Sequence, residues 1–330
     1  MRVGGWRANR GRDSRMAFMG ISTWIRGARL KTLPLAVAPV LIGASLAWHD
    51  AAGHRVVVAV LCGFVALLLQ VAANFANDYS DGIRGTDEGR SVPVKDADDS
   101  AVSGKTTPSR GPARLVASGV NPKKVLAAAG ISALTACLCG LAVIALTGYW
   151  WFILVGIACL VAGWFYVGGK HPYGYHYLGE VFVFVFFGLV ATCGTMFALS
   201  GTISVSGLLG GSAAGLVAVA VLCVNNLRDI ESDRNHGKHT WMTAMGLRNG
   251  TIFTIAILII SALIALRHLL QSSIYAANGI PLIAIIAILC AAQIAASYAI
   301  ARKTYRRALP LCSLDSLIVA AIFVLSTMLA

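Results

Sequence analysis

The chain has 330 residues, of which 57% are hydrophobic and only 12% charged, with a mean hydropathy of +0.74; this excludes an ordinary soluble domain, in which charged residues make up about a quarter, and describes a polytopic membrane protein. The formal net charge of +13 reads as topology and contact with anionic membrane lipid, since no nucleic-acid-binding motif accompanies it. All eight cysteines fall inside or at the edges of apolar runs, without CxxC spacing or nearby metal-ligand histidines, so they are small core residues rather than a disulfide or zinc framework.

Residues 1–32 are basic and lack the apolar core of a secretory signal. Within them, the stretch from Met16 to Leu33 is predicted to form an amphipathic helix lying in the membrane interface. Nine apolar runs near bilayer-crossing length follow, at about 33–48, 56–75, 125–146, 150–167, 178–199, 205–226, 251–270, 279–300 and 311–329. Pro34 suits the first turn of the first run, whereas Pro39 is predicted to kink or stretch it. With the N-terminus in the cytoplasm, all but Arg55 and Arg267 of the 27 Lys and Arg residues fall on that side. The positive-inside rule therefore sets the orientation and leaves the C-terminus outside. Residues 33–330 form one transmembrane domain with no soluble domain attached. The longest connection is polar and rich in Gly, Pro and Ser, predicting a mobile cytoplasmic loop over about 88–110. The stretch Gly111 to Gly119 is more structured and is a candidate lid over the site.

Two acidic stretches stand at the ends of the second and sixth runs, and the topology brings both to the cytoplasmic side. The first reads Asn74-Phe-Ala-Asn77-Asp78-Tyr-Ser-Asp81-Gly-Ile-Arg84-Gly-Thr-Asp87, the second Asn225-Asn226-Leu-Arg228-Asp229-Ile-Glu231-Ser-Asp233. At helical spacing Asn74, Asp78 and Asp81 share one face, as do Asn225 or Asn226, Asp229 and Asp233. Carboxylates this dense repel one another at a membrane boundary unless a cation neutralises them, and hard oxygen donors that retain waters suit Mg²⁺. Laying Asn77, Asp81 and Gly85 on Asn225, Asp229 and Asp233 gives a weak internal repeat, which predicts a pseudo-symmetric bundle with its site between the halves.

Cations surround the two stretches: Arg84, Arg228, Arg234, Lys238 and, on a neighbouring loop, Lys170. Such a clamp can hold a diphosphate and ease its departure as a leaving group. The apolar bundle around it points to a lipid diphosphate such as a polyprenyl diphosphate. Its allylic cation would be stabilised by aromatic faces, with Tyr79, Tyr166, Tyr173, Tyr175 and Phe182 among the candidates, and quenched by water. A secondary transporter is the competing reading, but its acids belong near mid-membrane. Of the remaining intramembrane acids, Glu180 and Asp315, each needs a partner or a wet cavity, and helix capping explains them as well as function does.

These motifs, together with Lys170-His-Pro-Tyr-Gly-Tyr175-His-Tyr-Leu-Gly-Glu180 and Ala28-Arg-Leu-Lys-Thr-Leu-Pro34, resemble the UbiA superfamily of intramembrane prenyltransferases, and within it the branch that acts on 1,4-dihydroxy-2-naphthoate. The resemblance implies an all-α bundle of nine transmembrane helices in the plasma membrane, with its active site facing the cytoplasm. It further implies Mg²⁺-dependent transfer of a polyprenyl chain from polyprenyl diphosphate to 1,4-dihydroxy-2-naphthoate with loss of the carboxylate, giving demethylmenaquinone. Carried over by position, Asn77, Asp81, Asp87, Asp229 and Asp233 bind metal and diphosphate, with Asp78 and Asn225 as further ligands beside them. Arg84, Lys170, Arg228 and Lys238 contact the diphosphate, while Asn74 and Tyr166 join Asp81 and Asp229 in the catalytic set. The chain departs from the family pattern at His239 and Ala244, which stand where arginines are expected. Other acceptors, such as hydroxybenzoate, homogentisate or haem, stay open at this point.

Overall fold

A computed structural model describes residues 21–51, 53–84, 114–271 and 282–328, so Asp87 and the loop predicted at about 88–110 lie outside the described residues. Ten α-helices account for nearly all of the described chain, and no strand occurs among these residues. The first half contains α1 (Ile21–Ala28), α2 (Pro34–Leu46), α3 (Arg55–Arg84), α4 (Pro122–Thr147) and α5 (Phe152–Val167). The second half contains α6 (Gly179–Ser200), α7 (Val205–Asn235), α8 (Trp241–Gln271), α9 (Leu282–Ala301) and α10 (Tyr305–Met328). Seven of these helices are long and apolar enough to cross a membrane, and the bent pair formed by α1 and α2 would make an eighth. The 16-residue α5 is a shorter apolar helix, spanning about 24 Å at a rise of about 1.5 Å per residue.

The break near the N-terminus falls ahead of Pro34, not at Pro39. Arg29 takes a left-handed conformation (φ 53°) that ends α1, a single 3-10 turn follows over Leu30–Thr32, and Pro34 opens α2 at a 52° bend. Pro39 lies inside α2, which continues to Leu46. The predicted interfacial helix thus ends at Ala28, before the expected Leu33, and its residues before 21 lie outside the described residues.

The described part of the first acidic stretch, to Arg84, and the whole of the second are helical. Helix α3 runs to Arg84 and α7 to Asn235, each beyond the end of its apolar run. The enclosure of these two helices differs sharply: 72% of the apolar window of α7 is buried, against 11% for α3. Helix α7 is surrounded by α2, α6, α8 and α10, whereas α3 packs mainly on α4, and small residues bring α7 close to α6. Gly211 and Gly215 on α7 pack so closely on α6 that a Cβ at Gly188 would collide with their backbone, and Gly188 lies in a widened π turn, Phe184–Val190, that carries the chain around this contact. The main core gathers Leu227 of α7 with Ile42, Met242, Leu258 and Phe323 from α2, α8 and α10. The eight cysteines are all free, with Cys193, Cys223 and Cys312 buried.

Candidate active site

In the first half, α3 is stitched to the N-terminal segment by polar side chains. Gln70 donates to Thr32 Oγ1 (3.1 Å), and Asn74 donates to the Ala28 carbonyl (3.0 Å) and to Thr32 Oγ1 (3.4 Å). One turn on, Asp78 is 1% exposed and surrounded by donors. Its Oδ1 accepts from Arg29 at 3.1 Å and from Arg114 at 2.9 Å, and its Oδ2 accepts from the Leu115 N–H at 2.9 Å. Arg114 also approaches Asp81 Oδ2, at 3.7 Å. The chain after Arg114 docks on apolar surface: Leu115 is buried with Phe75, Val120, Val125 and Ala129. The seat is floored by Gly27 and Gly82, where any Cβ would collide with Leu115 and Val116 respectively.

In the second half, Arg228 grips its neighbour Asp229 through two bonds, of 2.9 and 2.7 Å. Lys238 lies 3.2 Å from Asp233 Oδ2. Asn225 turns its amide back to the Val221 carbonyl (3.1 Å), whereas the buried Asn226 donates to Glu180 Oε1 (3.2 Å). That same oxygen accepts the Trp241 N–H at 3.3 Å. The loop between α7 and α8 is zipped to the loop before α6 by a parallel bridge. There the Tyr177 N–H donates to the His239 carbonyl and the His239 N–H to the Tyr175 carbonyl, both at 3.0 Å. The His239 ring stacks on Tyr177 at 5.6 Å, which gives this residue a packing role where the family pattern has an arginine.

Tyr175 joins the halves. Its hydroxyl donates to Asp81 Oδ1 (3.1 Å), while Arg84 and Lys238 stand over its ring at 5.4 and 5.8 Å. A path Asp81, Tyr175, Lys238, Asp233 therefore connects the two motifs at one end of the bundle. Burial, and then the charge of Asp81, push the Tyr175 hydroxyl above its ordinary value, so it remains a donor. Arg84 is fixed by a 2.7 Å bond to the Gly169 carbonyl, next to the exposed Lys170. Tyr166 lies within electrostatic reach of Glu180, Asp81 and Asp233, with its ring edge-on to Tyr173 at 5.6 Å. Tyr173 in turn stacks on Phe182 at 4.2 Å. Tyr166, Tyr173, Tyr175 and Phe182 thus gather beside Asp81 and Lys238, whereas Tyr79 packs against the Phe75 and Leu115 cluster instead.

Among the described residues no three His, Cys, Asp or Glu side chains converge into a closed metal cage. The donors present are Asn77, Asp81, Asn225, Asp229 and Asp233, all hard oxygen ligands, with Asp81 and Asp229 only half-buried. This set fits Mg²⁺, which retains waters and is completed by substrate phosphates, better than a metal that needs a full protein cage. Three contributors are not marked by the sequence as partners of the motifs: Arg29, from the segment before α2, Arg114, ahead of α4, and Glu180, for which capping is an equal reading.

An all-helical membrane bundle with two acidic helix ends, a cationic rim and an aromatic lining between them defines an intramembrane prenyltransferase. The chain belongs to the UbiA prenyltransferase family, which matches residues 36–314. It is 41% identical over 226 residues to the 1,4-dihydroxy-2-naphthoate octaprenyltransferase of Mycobacterium leprae (strain TN), covering 68% of this chain and 69% of that one. The enzyme of the same name from Haemophilus influenzae is 34% identical over 265 residues, covering 80% and 82% respectively. The fold is also that of the apo structure of a UbiA homolog from Aeropyrum pernix K1, with a TM-score of 0.62, 15% identity, and coverage of 89% of this chain and 97% of that one. A UbiA homolog from Archaeoglobus fulgidus, solved bound to DMAPP and Mg²⁺, superposes with a TM-score of 0.54 at 14% identity, over 91% and 99% of the two chains.

Proposed function

We propose that this protein transfers a polyprenyl chain from polyprenyl diphosphate to 1,4-dihydroxy-2-naphthoate with loss of the acceptor's carboxylate as CO₂, yielding the quinol form of demethylmenaquinone, which air oxidises to the quinone once it is released. The observation that carries the reaction class is the path through Tyr175, which sets Asp81 and Asp233 on one site. The acceptor is supported by the activity for which the relatives are named. Asn77, Asp81 and Asp87 on one side, and Asn225, Asp229 and Asp233 on the other, would hold Mg²⁺. When bound, Mg²⁺ supplies positive charge that eases departure of the diphosphate.

Arg84, Lys170, Arg228 and Lys238 bind the diphosphate oxygens. Before substrate arrives, Arg228 and Lys238 neutralise Asp229 and Asp233, against which the fold holds them. As the C–O bond to diphosphate breaks, the aromatic wall of Tyr166, Tyr173 and Phe182 faces the allylic cation and keeps water from it. The new C–C bond forms on the electron-rich ring, which needs orientation and departure of CO₂ more than a strong base. Asn74, tied to the Ala28 carbonyl, keeps the first motif in register with the N-terminal segment.

In this reading α2 and the short α5 complete nine crossings, with the N-terminus and both motifs in the cytoplasm and the protein in the plasma membrane. The exposed Trp150 and Trp151 at the start of α5 suit an interfacial anchor for a short span. The test is incubation of the purified protein with a polyprenyl diphosphate and 1,4-dihydroxy-2-naphthoate, with Mg²⁺ or EDTA, followed by mass spectrometry of the lipid extract. A Mg²⁺-dependent prenylated naphthoquinol lacking the carboxylate, or the quinone that air makes from it during extraction, is expected. Diphosphate release without that product would reject the acceptor.

A further inference from the structure

We infer that Asp78 is a positioning residue, which seats Arg114 and the turn after it against the first motif, and is not one of the metal-binding carboxylates. Helical spacing groups Asp78 with Asp81, yet the two side chains meet different surroundings. Asp78 has 2% side-chain exposure and receives two guanidinium groups at 3.1 and 2.9 Å and a backbone N–H, whereas Asp81 has 16%, accepts the neutral hydroxyl of Tyr175 and meets the Arg114 guanidinium only at 3.7 Å. A divalent cation on Asp78 would stand against two guanidinium groups at a side chain only 2% exposed, where like charges repel most strongly, whereas Asp229 pairs with Arg228 and Asp233 with Lys238 at 12% and 10% exposure. Three donors also occupy most of the lone-pair directions that a carboxylate offers.

The bonds of Asp78 have an evident use. Leu115 and Val116 rest on surface kept bare at Gly27 and Gly82, and the Leu115 N–H would be a buried donor without Asp78. The same carboxylate orients the Arg114 guanidinium so that its other nitrogen reaches Asp81 Oδ2. Asp78 thus acts on the site through Arg114 and the Leu115 backbone.

The experiment compares the full-length wild type with Asp78→Asn and Asp81→Asn, and rests on the proposed reaction only for its kinetic arm. Tryptic cleavage after Arg114 is followed in detergent. Asp78→Asn should speed it by about tenfold or more, as local opening of the seat becomes easier, whereas Asp81→Asn should leave it near wild type. In the kinetic arm, Asp78→Asn should raise the KM for polyprenyl diphosphate with the Mg²⁺ concentration for half-maximal rate unchanged. The double variant Asp78→Asn/Arg114→Ala should be no worse than the poorer single variant, the mark of two residues acting as a unit. Wild-type protection of Arg114 in Asp78→Asn, or a Mg²⁺ requirement shifted by that substitution, overturns the inference. If Asp78→Asn is not recovered folded, Arg29→Gln serves in its place and must also speed the cleavage. Faster cleavage with no prenyl transfer by any variant would leave the anchor standing and reject the reaction.

Discussion

The two halves of the site secure their neighbouring loops with the same kind of group in different chemistry. In the first half the anchoring carboxylate, Asp78, belongs to the motif helix itself; in the second it is Glu180, which lies on α6 across from the motif. Both are 1% exposed and both accept a backbone N–H, from Leu115 and Trp241 respectively. Asp78 is completed by two arginines, Glu180 by the neutral amide of Asn226. Burying a carboxylate is costly unless it is fully bonded, and the halves meet that cost by ion pairing in one case and by neutral hydrogen bonds in the other. The internal repeat of the sequence therefore extends to the motif positions and not to what holds the loops beside them.

The comparison breaks first if the motifs are unequal. Asp81→Asn and Asp229→Asn should each lower prenyl transfer by about a hundredfold or more, with normal membrane insertion. Near wild-type turnover in either would remove that half from the clamp. Next in size is the anchor of the second half. Glu180→Ala leaves the Asn226 amide and the Trp241 N–H without their acceptor and should cost about 1–3 kcal/mol in stability. Glu180→Gln, which keeps an acceptor, should cost less, and thermal unfolding in detergent separates the two.

A smaller effect is expected at the bridge between the halves. Tyr175→Phe keeps the ring under Arg84 and Lys238 but loses the bond to Asp81, worth about 0.5–1.5 kcal/mol, or a few-fold in rate; Tyr175→Ala should lose more. The smallest expected effect is with pH. The folded Tyr175 hydroxyl titrates above its ordinary value of 10.0 because of burial and Asp81. Its bond is therefore intact below 10.0 and lost only as pH rises through the higher folded value. Wild type and Tyr175→Phe should share the same pH–rate profile up to that point, and an alkaline fall in the wild type alone would show that the hydroxyl ionises earlier.

Much of this architecture was legible because apolar length and local acid spacing are properties of contiguous sequence. The two motif helices and their order follow from that. The helical spacing of the acids also carries α3 and α7 into the polar motifs; what it does not show is which neighbouring segments supply their partners, such as Ala28 and Thr32 for Asn74. The same limit explains Asp78, whose spacing groups it with Asp81 while Arg29 and Arg114 come from distant segments. Tyr175 was one aromatic among several until the fold placed it between Asp81 and Lys238. The bend ahead of Pro34 was hidden by the left-handed Arg29, a conformation that nothing in the local composition announces.

The bonding of Asp78 also has a consequence for how the chain is made. On the ribosome Arg29 precedes Asp78 by 49 residues, and Arg114 follows it by 36. A nascent chain that has just delivered α3 to the bilayer therefore carries this acid with one of its two guanidinium partners. The second arrives only after the connection to α4 has been synthesised. The smallest unit in which Asp78 has both of its guanidinium partners runs from α1 through Arg114, so the elements of this stretch mature as a group and not helix by helix.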